Sequence, residues 1–168
     1  VAKTERARQS LIAQRQEHSV ESEDLATVNG VLGAGGTVEA PIGRHRTQRT
    51  RMTVSSQGKP AVSHYRVMKK YRAHTLVQVR LESGRTHQIR VHMAHLHHPV
   101  VGDPVYGGRL KIPAGASEKL KHELRGFKRQ ALHALKLSLT HPGTGKRVQW
   151  ASLVPEDMNK LMEALAQD

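Results

Sequence analysis

The stretch that decides the fold is Glu82–Met93, whose sequence is ESGRTHQIRVHM. Ser83 and Gly84 end an alternating strand pattern, and the apolar residues that follow recur at helical spacing. The first turn of a helix has unpaired backbone N–H groups, which favour anions. Arg85 and Arg90 add fixed positive charge, and an arginine can clamp a carboxylate or a phosphate with two hydrogen bonds. The stretch therefore predicts either an anion-binding site or a charged strand–helix junction without a further role.

The pattern around this junction predicts further strands and helices. The predicted strands cover residues 25–31, 61–71, 75–82, 132–140 and 147–151. The predicted helices cover residues 4–17, 86–97, 118–126 and a C-terminal segment that begins near residue 155. Thr4 and Ser117 can cap two of the helices, and we expect Val148 and Trp150 to face inward from the last strand. The order predicts an α+β fold in which helices flank a mixed, mostly antiparallel sheet.

The charge of the chain indicates a polyanionic partner. Lys and Arg number 27 against 14 Asp and Glu, a net charge of +13. Nucleic acid is the commonest such partner, although a surface charged for solubility is the alternative. The densest basic cluster contains Arg44, Arg46, Arg49 and Arg51. With one Trp, three Tyr and one Phe, an array of stacked bases is disfavoured as the mode of binding.

Other functional classes are excluded or disfavoured by composition. The chain has no cysteine, which excludes disulfides and zinc sites with Cys ligands. No apolar run approaches the roughly 20 residues that span a bilayer. His92 and His95 are three residues apart on a predicted helix, a spacing that zinc sites use. A metal site is nevertheless disfavoured because few carboxylates lie nearby, and we expect these histidines to contact phosphate or to pack.

Several motifs resemble those of one enzyme family. They are GRTHQIRVH at residues 84–92, HPVVGDPVYG at residues 98–107, LHA at residues 132–134 and VAKT at residues 1–4. In this order they resemble the RluA/RluD family of large-subunit rRNA pseudouridine synthases, closest to the RluD branch. The resemblance spans nearly the whole chain, and it implies the pseudouridine synthase catalytic fold.

The resemblance implies an activity and a partner. The family isomerises uridine in RNA without a cofactor: the C1′–N1 bond breaks, the base turns over, and a C1′–C5 bond forms. The base must leave its stack for this chemistry. The expected partner is large-subunit rRNA or the pre-ribosomal large subunit, bound by a cytoplasmic monomer that does not contact membranes. A basic RNA-binding module without catalysis is the alternative function.

The resemblance also implies roles for single residues. In the family an Asp acts on the ribose, an Arg pairs with that Asp, and a Tyr stacks on the base as its general base. Arg90 matches the Arg, Leu132 matches an apolar position of the uracil pocket, and Asp24 stands at the Tyr position. Arg85 and His87, from the same motif as Arg90, are expected to bind RNA together with the basic cluster.

The chain departs from the family at two positions. The catalytic Asp belongs to an H-R-L-D motif expected upstream of Val1. We therefore expect residues 1–168 to be the C-terminal portion of one catalytic domain, inactive alone, with the Arg90 guanidinium unpaired on a cleft floor near Leu132. Asp24 cannot stack on uracil, and an ordinary Asp pKa of about 3.9 makes a weak base. Either the register differs at this stretch or the Tyr function is missing.

Overall fold

The computed structural model describes all residues, 1–168. Its helices are α1 (Glu5–Gln16), α2 (Gln88–His95), α3 (Glu118–Gly126) and α4 (Glu156–Gln167). Its strands are β1 (Glu21–Asn29), β2 (Gly36–Glu39), β3 (Ile42–Arg44), β4 (Met52–Val54), β5 (Val62–Lys70), β6 (His74–Leu81), β7 (Leu132–Thr140) and β8 (Arg147–Ala151). None of the helices is long and apolar enough to cross a bilayer.

Six of the strands form one sheet in the order β2-β5-β6-β1-β7-β8, and each adjacent pair is antiparallel. The other two, β3 and β4, form a separate antiparallel hairpin, which carries the basic cluster. The predicted α+β fold with flanking helices is confirmed. The predicted caps are confirmed as well: Thr4 Oγ1 accepts from the N–H of Ala7, and Ser117 Oγ accepts from the N–H of Leu120.

The core has two parts, and α2 contributes to both. The main core joins the central strands to α2, α3 and α4; its fully buried members include Val28, Val77, Met93, Leu120, Leu124, Met158 and Leu161. The second, smaller cluster contains Ile42, Ala61 and Val91, with Met52, Val54 and Tyr106 packed against it. This cluster fixes the β3–β4 hairpin against the side of α2 that faces away from the main core.

Three details of the sequence prediction are wrong. The strand predicted over residues 25–31 begins earlier, at Glu21, and ends at Asn29. The helix predicted over residues 86–97 is shorter because His87 and His97 have φ angles of 57° and 63°, left-handed conformations that cannot continue a helix. In the last hairpin, Val148 is only half-buried, and Trp150, the cross-strand partner of Leu137, is 52% exposed and does not face inward. The alternation along β7 is interrupted where its pairing with β1 shifts register between Glu23 and Asp24.

Candidate active site and nucleic-acid interface

The turn between β6 and α2 is held to the sheet by Gln88, which is buried. Its side-chain oxygen accepts from Ser83 Oγ at 2.9 Å and from the N–H of Arg85 at 3.0 Å. Its side-chain nitrogen donates to the Val62 carbonyl at 2.9 Å and to Ser63 Oγ at 3.0 Å. One amide therefore fixes the start of α2 on β5. Sequence reasoning missed this role, although a Gln in the first turn of a helix is a possible capping residue.

Arg90 points from α2 toward the loop that follows it and forms a bidentate ion pair with Asp103. Its Nε lies 2.7 Å from Oδ2 and its Nη2 lies 2.8 Å from Oδ1. Both side chains are buried. The expectation of an unpaired Arg90 is wrong, since a carboxylate 13 positions along the chain neutralises it. Hydrogen bonding to Asp103 raises the pKa of Arg90, so its charge is permanent.

Asp103 also orders its own loop. Its Oδ1 accepts from the N–H groups of Val105 and Tyr106 at 2.9 and 3.0 Å. Burial raises the pKa of the Asp103 carboxyl, but the hydrogen bonds from Arg90 and from these N–H groups outweigh it and hold the pKa below its usual value. The preceding Gly102 has a φ of 73°, and a Cβ there would collide with the Arg129 carbonyl oxygen. Only glycine therefore fits before Asp103.

Tyr106 joins Arg90 to the basic hairpin. Its hydroxyl accepts from the N–H of Met52 at 2.9 Å and lies 2.9 Å from His87 Nδ1. The Arg90 guanidinium lies 4.9 Å from the centre of the Tyr106 ring, and the Arg51 guanidinium lies 5.5 Å from it. Both distances fit cation–π contacts. Tyr106 therefore packs within the site and links helix, loop and hairpin.

Arg85 and His87, the two other motif residues expected to bind RNA, each form one side-chain hydrogen bond within the chain. His87 is half-buried, and its pKa is lowered below the usual value, first by burial and then by the charge of Arg90. Its Nδ1 is held by Tyr106. Arg85 is half-buried and donates from Nε to the Pro60 carbonyl at 3.0 Å. Its terminal nitrogens form no hydrogen bond within the chain.

Asp24 and Leu132 lie on one face of the sheet. Asp24 pairs with Val79 on β6 and with Ala134 on β7, and Leu132 pairs with Ala26, two residues along β1. Because strand side chains alternate, Asp24 and Leu132 project on the same side. Burial raises the pKa of Asp24 to about 6, although the nearby His133 opposes the rise. The expectation of an ordinary, weakly basic carboxylate at this position is therefore wrong.

Leu132 packs against the main core, whereas Arg90 contacts Asp103 and the ring of Tyr106, which belongs to the second cluster. The structure thus brings Asp24 and Leu132 together on one face of the sheet and pairs Arg90 with Asp103 and the ring of Tyr106. The expected position of the Arg90 guanidinium near Leu132 stays a prediction.

The basic cluster occupies the tip and one strand of the β3–β4 hairpin. Arg44, Arg46 and Arg49 are exposed, and Arg51 is half-buried. Arg44 Nη1 donates to the Arg49 carbonyl at 3.2 Å, and Arg51 Nη1 donates to Gln48 Oε1 at 3.1 Å. None of the four arginines forms an ion pair within the chain. The cluster therefore presents uncompensated positive charge, as an RNA-binding surface requires.

The histidines of α2 have different surroundings. His92 is fully buried, with Nδ1 2.8 Å from Ser63 Oγ and Nε2 2.8 Å from the Ala40 carbonyl. Both ring nitrogens thus hold the helix to neighbouring segments, so His92 packs within the fold, one of the two roles expected for these histidines. His95 is exposed on the side of α2 that faces the hairpin. The structure gathers no three His, Asp or Glu side chains in an arrangement that could hold a metal ion.

Comparison with known proteins matches residues 1–95 to the protein family described as RNA pseudouridylate synthase. The chain is 56% identical over 168 residues to ribosomal large subunit pseudouridine synthase D of Pseudomonas aeruginosa, covering 100% of this chain and 52% of that protein. The proteins of the same name from Xanthomonas campestris and Escherichia coli K12 are each 52% identical over the whole chain, which covers 51% and 52% of them. The chain spans about half the length of these curated relatives.

Two solved human structures resemble the fold. RNA pseudouridylate synthase domain containing 1 superposes with a TM-score of 0.70 at 25% identity, covering 100% of this chain and 74% of that one. RNA pseudouridylate synthase domain containing 4 superposes with a TM-score of 0.76 at 22% identity, covering 97% of this chain and 69% of that one. The second likeness concerns the fold alone.

Proposed function

This chain belongs to the RNA pseudouridylate synthase family, and on that premise we propose that residues 1–168 are the C-terminal portion of a catalytic domain that converts uridines of large-subunit rRNA to pseudouridine. The relatives named ribosomal large subunit pseudouridine synthase D support this substrate. The protein acts as a cytoplasmic monomer on large-subunit rRNA or the pre-ribosomal large subunit, without a cofactor.

The observation that carries the proposal is the geometry of Arg90. A guanidinium has five N–H donors, and Asp103 receives two of them in a side-on arrangement through Nε and Nη2. The remaining donors, on Nη1 and Nη2, form no hydrogen bond within the chain. A second carboxylate can therefore pair with Arg90 while Asp103 holds it in place. We assign that second position to the family's catalytic Asp, whose motif precedes these residues in the family.

Arg90 then keeps that carboxylate ionised. A buried carboxylate loses its hydration, which raises its pKa unless a cation compensates. Arg90 is a permanent cation and is immobilised by a buried partner, so it is preorganised to stabilise a second anion at little cost in reorganisation. An ionised carboxylate is required whether it attacks the ribose or abstracts a proton from it.

Asp24 and Leu132 form the proposed uracil pocket. Leu132 offers apolar surface to the base, and Asp24, with a pKa of about 6, is ionised at neutral pH yet more basic than an ordinary Asp. It can therefore accept the proton that C5 of the base releases when the new C1′–C5 bond is complete. A carboxylate does not stack on uracil, so this pocket holds the base without the aromatic contact of the family's Tyr.

RNA binding is assigned to the basic hairpin with Arg44, Arg46, Arg49 and Arg51, together with Arg85 and His87 beside the turn. The alternative function, a basic RNA-binding module without catalysis, is favoured by the net charge of +13 and by the unpaired hairpin arginines. An RNA-binding role without catalysis does not account for the buried Arg90 guanidinium, whose remaining N–H groups form no hydrogen bond within the chain.

The proposal is tested by mapping pseudouridine in large-subunit rRNA after incubation with the full-length protein or with residues 1–168 alone. We expect product with the full-length protein and none with residues 1–168. Binding without product in both cases would support the RNA-binding module instead. Product from residues 1–168 alone would contradict the assignment of the catalytic Asp to a preceding segment.

A further inference from the structure

A cleft lies between the β3–β4 hairpin and α2, and its lining includes neither Asp24 nor Leu132. Its volume is about 370 Å³, within the range of small-molecule sites. The hairpin side is lined by His45, Arg51, Met52, Thr53 and Val54, and the opposite side by Val91, Ala94, His95 and Tyr106. The lining contains no carboxylate, whereas one arginine and two histidines can donate hydrogen bonds into it.

Arg51 supplies the feature that points to a ligand. Its Nε is buried and has no hydrogen-bond partner. A buried N–H without an acceptor is destabilising, more so when the group is charged, and each such group in a native fold calls for an explanation. The rest of this guanidinium is held by Gln48 and by the Tyr106 ring. Arg51 therefore has a fixed position, and its N–H groups on Nε and Nη2 are left without an acceptor in the chain.

The remaining walls suit a planar, partly apolar group. Val54 and Val91 provide apolar surface, and Met52 adds a thioether side chain. His95 and His45 stand at the cleft, where neither forms an ion pair with a carboxylate. Unstacked RNA bases are recognised by such a combination of apolar contact and hydrogen bonds to base edges, with basic groups for the phosphate.

We propose that this cleft binds one unstacked nucleotide of the RNA substrate, separate from the uridine that reacts. A phosphate or base carbonyl oxygen accepts from Arg51 Nη2, which forms no hydrogen bond within the chain, and the base lies against Val54 and Val91. The proposal deepens the proposed function and rests on it, because the ligand is taken to be RNA. It also gives Tyr106 a part in binding, since Tyr106 bridges the cleft to Arg90.

The experiment compares two charge-removing variants of the full-length protein, Arg51→Gln in the cleft and Arg49→Gln on the exposed hairpin tip. Each loses one positive charge, so each weakens binding of a large-subunit rRNA fragment. Only Arg51→Gln also loses the charged donor in the cleft, which we expect to weaken binding about tenfold more than Arg49→Gln does. Ala94→Phe, which fills the cleft and changes no charge, should weaken binding as well.

A direct readout uses the same RNA substituted with 4-thiouridine and irradiated in the complex. Cross-links should form within residues 51–54 or 91–95, and Ala94→Phe should abolish them while circular dichroism shows a retained fold. If the wild type binds and modifies RNA but Arg51→Gln equals Arg49→Gln and no cross-link maps to the cleft, the cleft proposal alone is wrong. If the wild type does not bind RNA, the proposed function and the cleft proposal fail together.

Discussion

Arg90 and Asp103 form a buried bidentate ion pair, with heavy-atom distances of 2.7 and 2.8 Å and side-chain exposures of 9% and 0%. The pair connects the helix of the central motif to the loop that carries Tyr106. Since two charges are satisfied mainly by each other, loss of either one leaves the other buried without a partner.

We therefore predict that Asp103→Ala lowers the free energy of unfolding by about 3–5 kcal/mol. The matched control is Asp157→Ala, which breaks the exposed bidentate pair of Asp157 with Arg129 and should cost no more than about 1 kcal/mol. Urea unfolding of the two variants measures the difference. Equal losses for the buried and the exposed pair would show that the Arg90–Asp103 pair is solvated.

Arg90→Met should be destabilising as well, because it leaves the Asp103 carboxylate buried. The sequence-based expectation of an unpaired guanidinium implies the opposite, a neutral or stabilising effect of this substitution. The double variant Arg90→Met/Asp103→Leu should recover much of the loss, since a buried pair can be replaced by apolar residues. A double variant as unstable as the sum of its single variants would contradict coupling between these side chains.

Asp24 predicts a pH dependence of stability. Its folded pKa of about 6 lies above the ordinary value of 3.8, so the folded state favours the protonated form. The contribution of the protonated Asp24 to the free energy of unfolding is fully present below about pH 4. It is lost as the pH rises through about 6. Relative to Asp24→Asn, wild-type stability should fall by up to about 3 kcal/mol between pH 4 and pH 7. A constant difference between the two proteins would show that Asp24 is hydrated.

Tyr106→Phe isolates the link between the hairpin and the site. It removes the acceptor of the Met52 N–H and the partner of His87, while the ring contacts with Arg90 and Arg51 remain. We expect a loss of about 1–2 kcal/mol and faster hydrogen exchange at the Met52 amide. Tyr65→Phe is the control, because the Tyr65 hydroxyl forms no hydrogen bond within the chain. Unchanged exchange at Met52 would mean that the hairpin is held by apolar packing alone.

The salt dependence of RNA binding tests the hairpin surface. Each phosphate contact contributes about 0.7–0.9 to the log–log slope of affinity against salt. Replacing Arg44, Arg46, Arg49 and Arg51 by Gln should therefore reduce the slope by as much as about 3. An unchanged slope would show that the cluster is a solvated loop.

Local features of this fold could be predicted from the sequence, and contacts between distant segments could not. The caps Thr4 and Ser117 follow from residue type and spacing, and the alternation along β6 predicts a half-buried strand. The bulge in β7 depends on its pairing with β1, so Trp150 was wrongly placed inward. The family resemblance indicated Arg90 and Asp24 as site residues. It did not indicate that Asp103 pairs with Arg90, or that Val79 and Ala134 surround Asp24, because both arrangements depend on how separate segments pack.

The most direct test of the central claim, that Arg90 belongs to the catalytic site, is pseudouridine formation by two variants of the full-length protein. Arg90→Met removes the positive charge of the buried ion pair. Arg85→Met removes a positive charge near the turn between β6 and α2, where Nη1 and Nη2 of Arg85 form no hydrogen bond within the chain. Turnover at saturating rRNA and the Kd for the same rRNA are measured for both. We predict that Arg90→Met abolishes turnover with a nearly unchanged Kd, whereas Arg85→Met raises the Kd and retains turnover. Equal losses of binding and turnover in the two variants would show that Arg90 only contacts phosphate and would contradict the proposed active site.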